Sequence, residues 1–404
     1  MAKASGTGLS KTAALAKAKG LMTKAPLIDG HNDLPWVIRQ ATGAKGDVAG
    51  YDLRRQHNDG DTDIPRLRKG HVAGQVFAAF VPSDIEHPGR ATLEQLDLIR
   101  RLAESYPESF HHVSRPVDFA KAKGAGRIGI LMAVEGGVGL ENSLAPLHAW
   151  HAMGARLMTL CHNGTLDWCD SATDAARHNG LSRFGHAVVK ELNRLGMIVD
   201  CAHVAAKSMH DVLDTSTAPI VFSHSNARAL CAHPRNVPDD VIDRMPQNGG
   251  IVMATFIPAF LNPAIDVWQK PLREKGGKGY GPEWNAMVAA HAEKAGPCPT
   301  ASVTDVATHI EYIAGRIGPS HLGIGSDFYG ATTTPEGLED VSRFPNLIAE
   351  LMRRGWSDRS LIGLMGGNFL RVFRAVDAEG ERLRESVPSQ FGTVRDFDGT
   401  GPSG

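Results

Sequence analysis

Cysteine is scarce in this chain of 404 residues: there are five (Cys161, Cys169, Cys201, Cys231 and Cys298), with no C-x-x-C pair among them. So sparse and odd a set excludes a disulfide scaffold and points to reduced thiols in a reducing compartment. An excess of one charge is also missing. The 43 basic and 44 acidic side chains leave a formal net charge of −1. A surface that neutralises many phosphates carries a basic excess, so neither nucleic acid nor an anionic membrane is an expected partner. Long apolar runs are absent too. The greasiest stretch, 249–261, is interrupted by Thr255 and Pro258 and falls short of the ~20 apolar residues of a membrane span. Residues 1–25, rich in Ala and Lys, contain no apolar h-region, so no secretory signal is visible and a cytoplasmic location is expected. With no G-x-S-x-G and no P-loop, a serine hydrolase or an NTPase is disfavoured.

What is present is a 42% hydrophobic composition and 18 histidines. The first is ample for a packed core. The second directs attention to metal or proton-transfer chemistry. Eight short apolar runs recur at 27–28, 74–80, 128–134, 156–161, 197–201, 219–222, 250–256 and 322–326. Their near-continuous apolarity suits strands buried on both faces of a parallel sheet. Period-3.6 patterns lie between several of them, at 92–105, 182–195 and 304–316, with Ser182 and Thr304 as expected N-caps. A further helix over 357–376 is interrupted by Gly363, Gly366 and Gly367. Eight strands alternating with helices predict an α/β fold, a (β/α)8 TIM-like barrel. A doubly wound sheet is the alternative, but no G-x-G-x-x-G follows the first strand. One domain over 1–404 is expected, its core at about 26–376 and its ends irregular. The polar stretch 41–69 and the Gly- and Pro-punctuated stretch 258–300 read as long functional loops.

The ends of the runs carry the chemistry. They lead into His31 and Asp33, Glu135, His162, His203, His224 and Asp327. In a (β/α)8 barrel the strand C-termini converge on one face, where active sites are built. His31-x-Asp33 in extended chain sends an imidazole and a carboxylate the same way, although a lone H-x-D also occurs in hydrogen-bonded turns. Glu135 at the end of an apolar strand needs a partner, either an Arg or cations. His203 and His224, on consecutive strands, would lie side by side. Singly each reads as a core histidine. With His31, Asp33 and Glu135 they make five ligands, the right number for two ions sharing Glu135. His162 is open to two roles, as a further ligand or as a group polarising a carbonyl. Asp327 reads either as a helix N-cap or as the group handling the proton of an attacking water. Arg235 offers a fork for a substrate carboxylate, or a surface salt bridge.

Six segments, LIDGHNDLPW (27–36), TDIPRLRKG (62–70), AVEGG (133–137), FSHSNARAL (222–230), RNVPDD (235–240) and GIGSDF (323–328), resemble the membrane (renal) dipeptidase family of zinc peptidases. The motifs come in that family's order and span roughly 27–376. The resemblance implies a metal-dependent hydrolase barrel, usually dimeric, that cleaves dipeptides, often with a D-amino acid at the C-terminal position. It implies two Zn2+ per chain, with Co2+ or Mn2+ as substitutes. His31 and Asp33 would bind one ion and His203 and His224 the other, with Glu135 bridging and a metal-bridging hydroxide as nucleophile. His162 would steady the tetrahedral intermediate, Arg235 would hold the terminal carboxylate and Asp327 would move the proton. Two departures bear on substrate preference: Tyr329 follows Phe328 where many relatives have an acidic residue, and strand five ends Asp200-Cys-Ala-His203 where a Ser is more usual. Two other readings stay open: the same site acting on another amide, ester or lactam, and a non-catalytic binding protein on the same barrel. The second predicts loss of a ligand or of Asp327, and all six are present.

Overall fold

The apolar runs become parallel strands. The computed structural model describes residues 8–399 except Lys278 and Tyr280. Among the described residues there are nine strands: β1 (Leu27–Asp29), β2 (Val72–Phe80), β3 (Phe110–Val113), β4 (Ile128–Glu135), β5 (Ala155–Thr159), β6 (Ile198–Asp200), β7 (Val221–Phe222), β8 (Ile251–Ala254) and β9 (Leu322–Ile324). The order β2-β1-β9-β8-β7-β6-β5-β4 is closed by pairing of β2 with β4, which makes an eight-stranded parallel barrel surrounded by helices. The chain thus forms the expected (β/α)8 TIM barrel rather than a doubly wound sheet. β3 stands outside the ring. It pairs with Ile128–Leu131 of β4, on the edge that β5 takes over from Met132. Its sequence FHHV places two half-exposed histidines at its centre, which hides it from an apolar-run reading.

Alternate strand residues fill the barrel, among them Ile28, Val76, Leu131, Leu157, Ile198 and Val221. Phe119, Phe369 and Phe373 pack against them. A second, larger cluster lies between barrel and helices, and the buried Cys161 and Cys201 belong to it as core residues. Each fully buried aliphatic or aromatic side chain contributes roughly 1.5–3 kcal/mol through removal of apolar area from water.

The helices show where sequence patterns run out. Arg183–Leu195 starts at Ser182 as expected. The helix expected at 304 instead starts at Val303, capped by Ser302 in a box with Asp305. Around 357–376 the chain makes a short helix Asp358–Ile362, a π turn Gly363–Gly367 and the helix Asn368–Ser386. Gly366 meets the first strand there, since a Cβ on it would lie 2.8 Å from the Pro26 carbonyl oxygen.

The expectation of irregular ends is corrected, although residues 1–7 and 400–404 of it lie outside the described residues. Lys11–Lys24 is helical and buries Ala14, Ala18 and Met22, at the i, i+4, i+8 spacing of one face. Small side chains on that face kept the stripe inconspicuous. After 382 the helix continues to Ser386, and a further turn, Val394–Asp398, follows. The stretches expected as loops are also partly helical: Ile64–Lys69 in the first, and Pro258–Leu261, Pro263–Arg273 and Gly281–Ala295 in the second. No helix among the described residues is long and apolar enough to cross a membrane.

The last turn is tied down by Asp398. Its carboxylate accepts from Ser182 Oγ at 2.7 Å and from the backbone N–H groups of Arg183 and Phe184 at 2.9 and 3.3 Å. It thus sits on the positive end of the helix Arg183–Leu195. Asp398→Ala is expected to lower stability by about 1–2 kcal/mol, read as a lower urea midpoint with unchanged slope. An unshifted midpoint would refute the contact's contribution.

Candidate metal centre and substrate pocket

Six strand ends deliver polar side chains to one face of the barrel. β1 runs into His31 and Asp33, β4 ends at Glu135, and β5, β6, β7 and β9 lead to His162, His203, His224 and Asp327. Glu135 lies at the middle. Its Oε2 is 3.4 Å from His31 Nε2, and its Oε1 is 3.1 Å from His203 Nε2 and 3.5 Å from His224 Nε2. The two carboxylate oxygens thus face two different groups. His31 Nε2 also lies 3.5 Å from Asp33 Oδ1 and 3.9 Å from Asp327 Oδ1. His162 Nε2 is 4.0 Å from Glu135 Oε1.

This arrangement fits divalent cations. The Nε2 atoms of His203 and His224 are 3.0 Å apart, and two lone-pair nitrogens at that distance need a proton or a cation between them. His31 Nε2 and Asp33 Oδ1 are buried without a hydrogen-bond partner, a costly state for polar atoms unless something else satisfies them. Three overlapping sets, His31–Glu135–His224, Glu135–His162–His203 and His31–Asp33–Asp327, have ligand atoms within 4.8 Å of one another. All donors are nitrogen or oxygen, the chemistry of first-row divalent ions.

The environment sets the charge states. Burial pushes His203 and His224 well below the ordinary histidine range, with Arg235 and His31 adding to the effect. His162 is pushed down to about 3 by burial and then by Arg235. These imidazoles are neutral, with lone pairs to offer. Burial acts against protonation of His31, but Glu135 and Asp33 outweigh it and raise its affinity for a proton. Burial raises Asp327 well above the carboxylate range, opposed by His31 and reinforced by Asp33 and Glu135.

Two matching clamps brace the chain next to the candidate ligands. Asp200, at the end of β6, accepts from Ser223 N and Oγ at 2.8 and 2.6 Å and from Thr159 Oγ1 at 2.6 Å. Ser223 Oγ is 2.7 Å from His224 Nδ1, so its contacts aim that ring. Asp29, at the end of β1, accepts from Ser326 N and Oγ at 2.7 Å each and from Gln75 Nε2 at 2.9 Å. Burial raises it to about 6, opposed by these bonds. Asn163 Oδ1 lies 3.2 Å from His203 Nδ1 and steers the other ring. Sequence reasoning assigned no role to Asp29, Asp200, Ser223, Ser326 or Asn163. The only signal was the position of the two aspartates, each an acidic residue closing an apolar run. His203 and Asp327 have φ of 70° and 64°, left-handed conformations that cost non-glycine residues about 1–3 kcal/mol and gather at functional sites.

Arg235 is not on the surface as one reading had it. It is 2% exposed, its guanidinium 5.3 Å over the Phe260 ring, with Nη2 3.4 Å from the His224 carbonyl oxygen. Its Nη1 is buried without a hydrogen-bond partner. Arg235, Asp33, Glu135, His162, His203 and Asp327 line one cavity of about 470 Å³, in the size range of small-molecule sites. Trp36 and Phe80 form part of its wall, and Gln269, Arg273 and Trp284 reach it from the 258–300 stretch. That stretch, expected as a binding loop, contributes to the pocket both from helices and from the Gly276, Gly277 and Gly279 segment between them.

Comparison with known proteins places the chain. It is 37% identical over 391 residues to dipeptidase 3 of Macaca fascicularis, across 95% of this chain and 72% of that protein. The probable dipeptidase PvdM from Pseudomonas aeruginosa superposes with a TM-score of 0.78 at 25% identity, covering 91% of this chain and 99% of that one. A metallo peptidase from Rhodobacter sphaeroides, solved with a phosphinate mimic of the dipeptide L-Ala-D-Ala, shares the fold with a TM-score of 0.70 at 22% identity, covering 87% and 99%. The family model of the membrane dipeptidases, peptidase family M19, matches residues 15–387, and the chain therefore belongs to that family of metallopeptidases, a dipeptidase that hydrolyses peptide bonds.

Proposed function

We propose that the chain is a binuclear zinc dipeptidase, with His31 and Asp33 holding one ion, His203 and His224 the other, and Glu135 bridging both. The observation that carries the reading is the split of Glu135, with Oε2 toward His31 and Oε1 toward His203 and His224. Cobalt and manganese satisfy the same donors. When bound, two divalent cations supply Lewis acidity and lower the pKa of water toward neutrality.

The chain's own residues do the rest. Arg235 takes the free carboxylate of the dipeptide through Nη1, the buried donor without a partner. It lines the same cavity as Glu135, and a dipeptide held there presents its amide to both. Asp327 accepts the proton as the attacking water's O–H bond breaks and delivers it to the departing nitrogen. His162 is neutral and hydrogen-bonds the carbonyl oxygen as negative charge develops there. A D-residue at the C-terminal position fits the ligand carried by the Rhodobacter sphaeroides relative. A cytoplasmic location accords with the sparse, unpaired cysteines, and a homodimer with the family resemblance.

Turnover of L-Ala-L-Ala and L-Ala-D-Ala, before and after chelation and with bound metal counted, tests the whole reading. Chelator-sensitive cleavage with about two metals per chain is expected. Two metals without cleavage would redirect it to another amide, ester or lactam, and neither metal nor cleavage would refute it. Asp327→Asn is expected to retain metal while kcat falls by about 10²–10⁴-fold; wild-type turnover would remove Asp327 from the proton's path. Arg235→Ala should raise KM for free dipeptides by roughly ten- to a hundredfold and leave C-terminally amidated ones unaffected. An equal rise for both would disprove the carboxylate contact.

A further inference from the structure

Tyr329 lies two residues beyond Asp327, and its hydroxyl does specific work. Tyr329 Oη accepts hydrogen bonds from the backbone N–H groups of Asp61 and Thr62 at 2.8 and 2.9 Å, with its own proton toward the Thr62 carbonyl at 3.5 Å. Thr62 in turn accepts, through Oγ1, the side-chain amide of Asn32 at 2.8 Å. Asn32 stands between His31 and Asp33. The ring closes through the backbone: Asp327 N–H donates to the His31 carbonyl at 3.2 Å and Asp33 N–H to the Phe328 carbonyl at 3.1 Å. Tyr329 itself sits at φ 74°, two residues after Asp327 at φ 64°. Two glycines make room. A Cβ on Gly60 would lie 2.9 Å from Tyr329 Oη, and one on Gly330 would lie 2.1 Å from Asp327 Oδ1.

We infer that Tyr329 is a positioning residue, a latch that fastens the 61–62 backbone to the turn carrying Asp327 and, through Thr62 and Asn32, to the His31–Asp33 turn. Two consecutive N–H groups converging on one oxygen need an acceptor there. Phenylalanine would keep the ring's packing and leave both donors without it. The turn at Asp327 is held in a strained conformation that survives only while its surroundings over-determine it. Releasing one side lets it relax. The inference rests on Asp327 handling the proton, as proposed above.

Tyr329→Phe tests it through two readouts. Amide hydrogen exchange is expected to speed up by about tenfold or more at Asp61 and Thr62 and also at Asp327 and Gly330. In turnover, kcat is expected to fall roughly ten- to a hundredfold with KM within about twofold and bound metal unchanged. Faster exchange confined to 61–62, or full kcat despite a lower melting temperature, would reduce Tyr329 to a packing residue and overturn the latch. If the wild type cleaves no dipeptide, the functional reading fails by itself, and exchange at 327 and 330 still decides the latch. Should Tyr329→Phe not fold, Gly60→Ala presses the same hydroxyl from the other side and is expected to give both effects; neither effect would overturn the inference.

Discussion

A carboxylate buried at the end of β4 governs this face of the molecule. Glu135 is 3% exposed, and an isolated carboxylate so far from water is too costly to keep charged. Burial, reinforced by Asp33, drives its proton affinity up, and His31 pulls it back. His31 against Oε2 offsets that cost, with Arg235 adding to the offset, while the neutral rings of His203 and His224 face Oε1. Each imidazole needs its own orientation, so the demand passes outward to Asn163 and to Ser223 with Asp200. The geometry of five strands is thereby tied to one buried charge.

The same logic explains why electrostatics and packing are hard to separate here. Arg235 is held over Phe260, whose ring packs tilted against His233 with centroids 4.4 Å apart, and His233 Nε2 lies 3.9 Å from Asp266 Oδ1. A guanidinium buried on an aromatic face gains cation–π attraction as it loses water. It also depresses the proton affinity of His162 and His203. One side chain shapes the pocket and adds to the burial that keeps two histidines neutral.

Much of this was legible in the chain. His31 and Asp33 lie two residues apart and Glu135 closes an apolar run, so strand periodicity alone brought them to one end of a barrel. The meeting of the ligands is a consequence of the fold class, which strand count predicted. Other features were not legible for physical reasons. β3 has polar residues at its centre because only part of it is covered. The helix Lys11–Lys24 buries two alanines and one methionine, too little bulk for a visible stripe. Arg235 looks the same in sequence whether buried or exposed. The serine–aspartate clamps join residues far apart in the chain, and no local pattern encodes such pairs.

One of those clamps has a temporal consequence. Asp29 and Ser326 are 297 residues apart, and their bond joins β1 to β9, strands whose ladder register rests on the single pair Asp29↔Ile324. Closing so long a loop is entropically the most demanding contact in the barrel. During synthesis, β1 waits beside an open edge until almost the whole chain has emerged. Asp327 arrives with the strand that fills that edge. A nascent chain that carries every other residue of the candidate site still lacks Asp327, and the ring's closure times the site's completion.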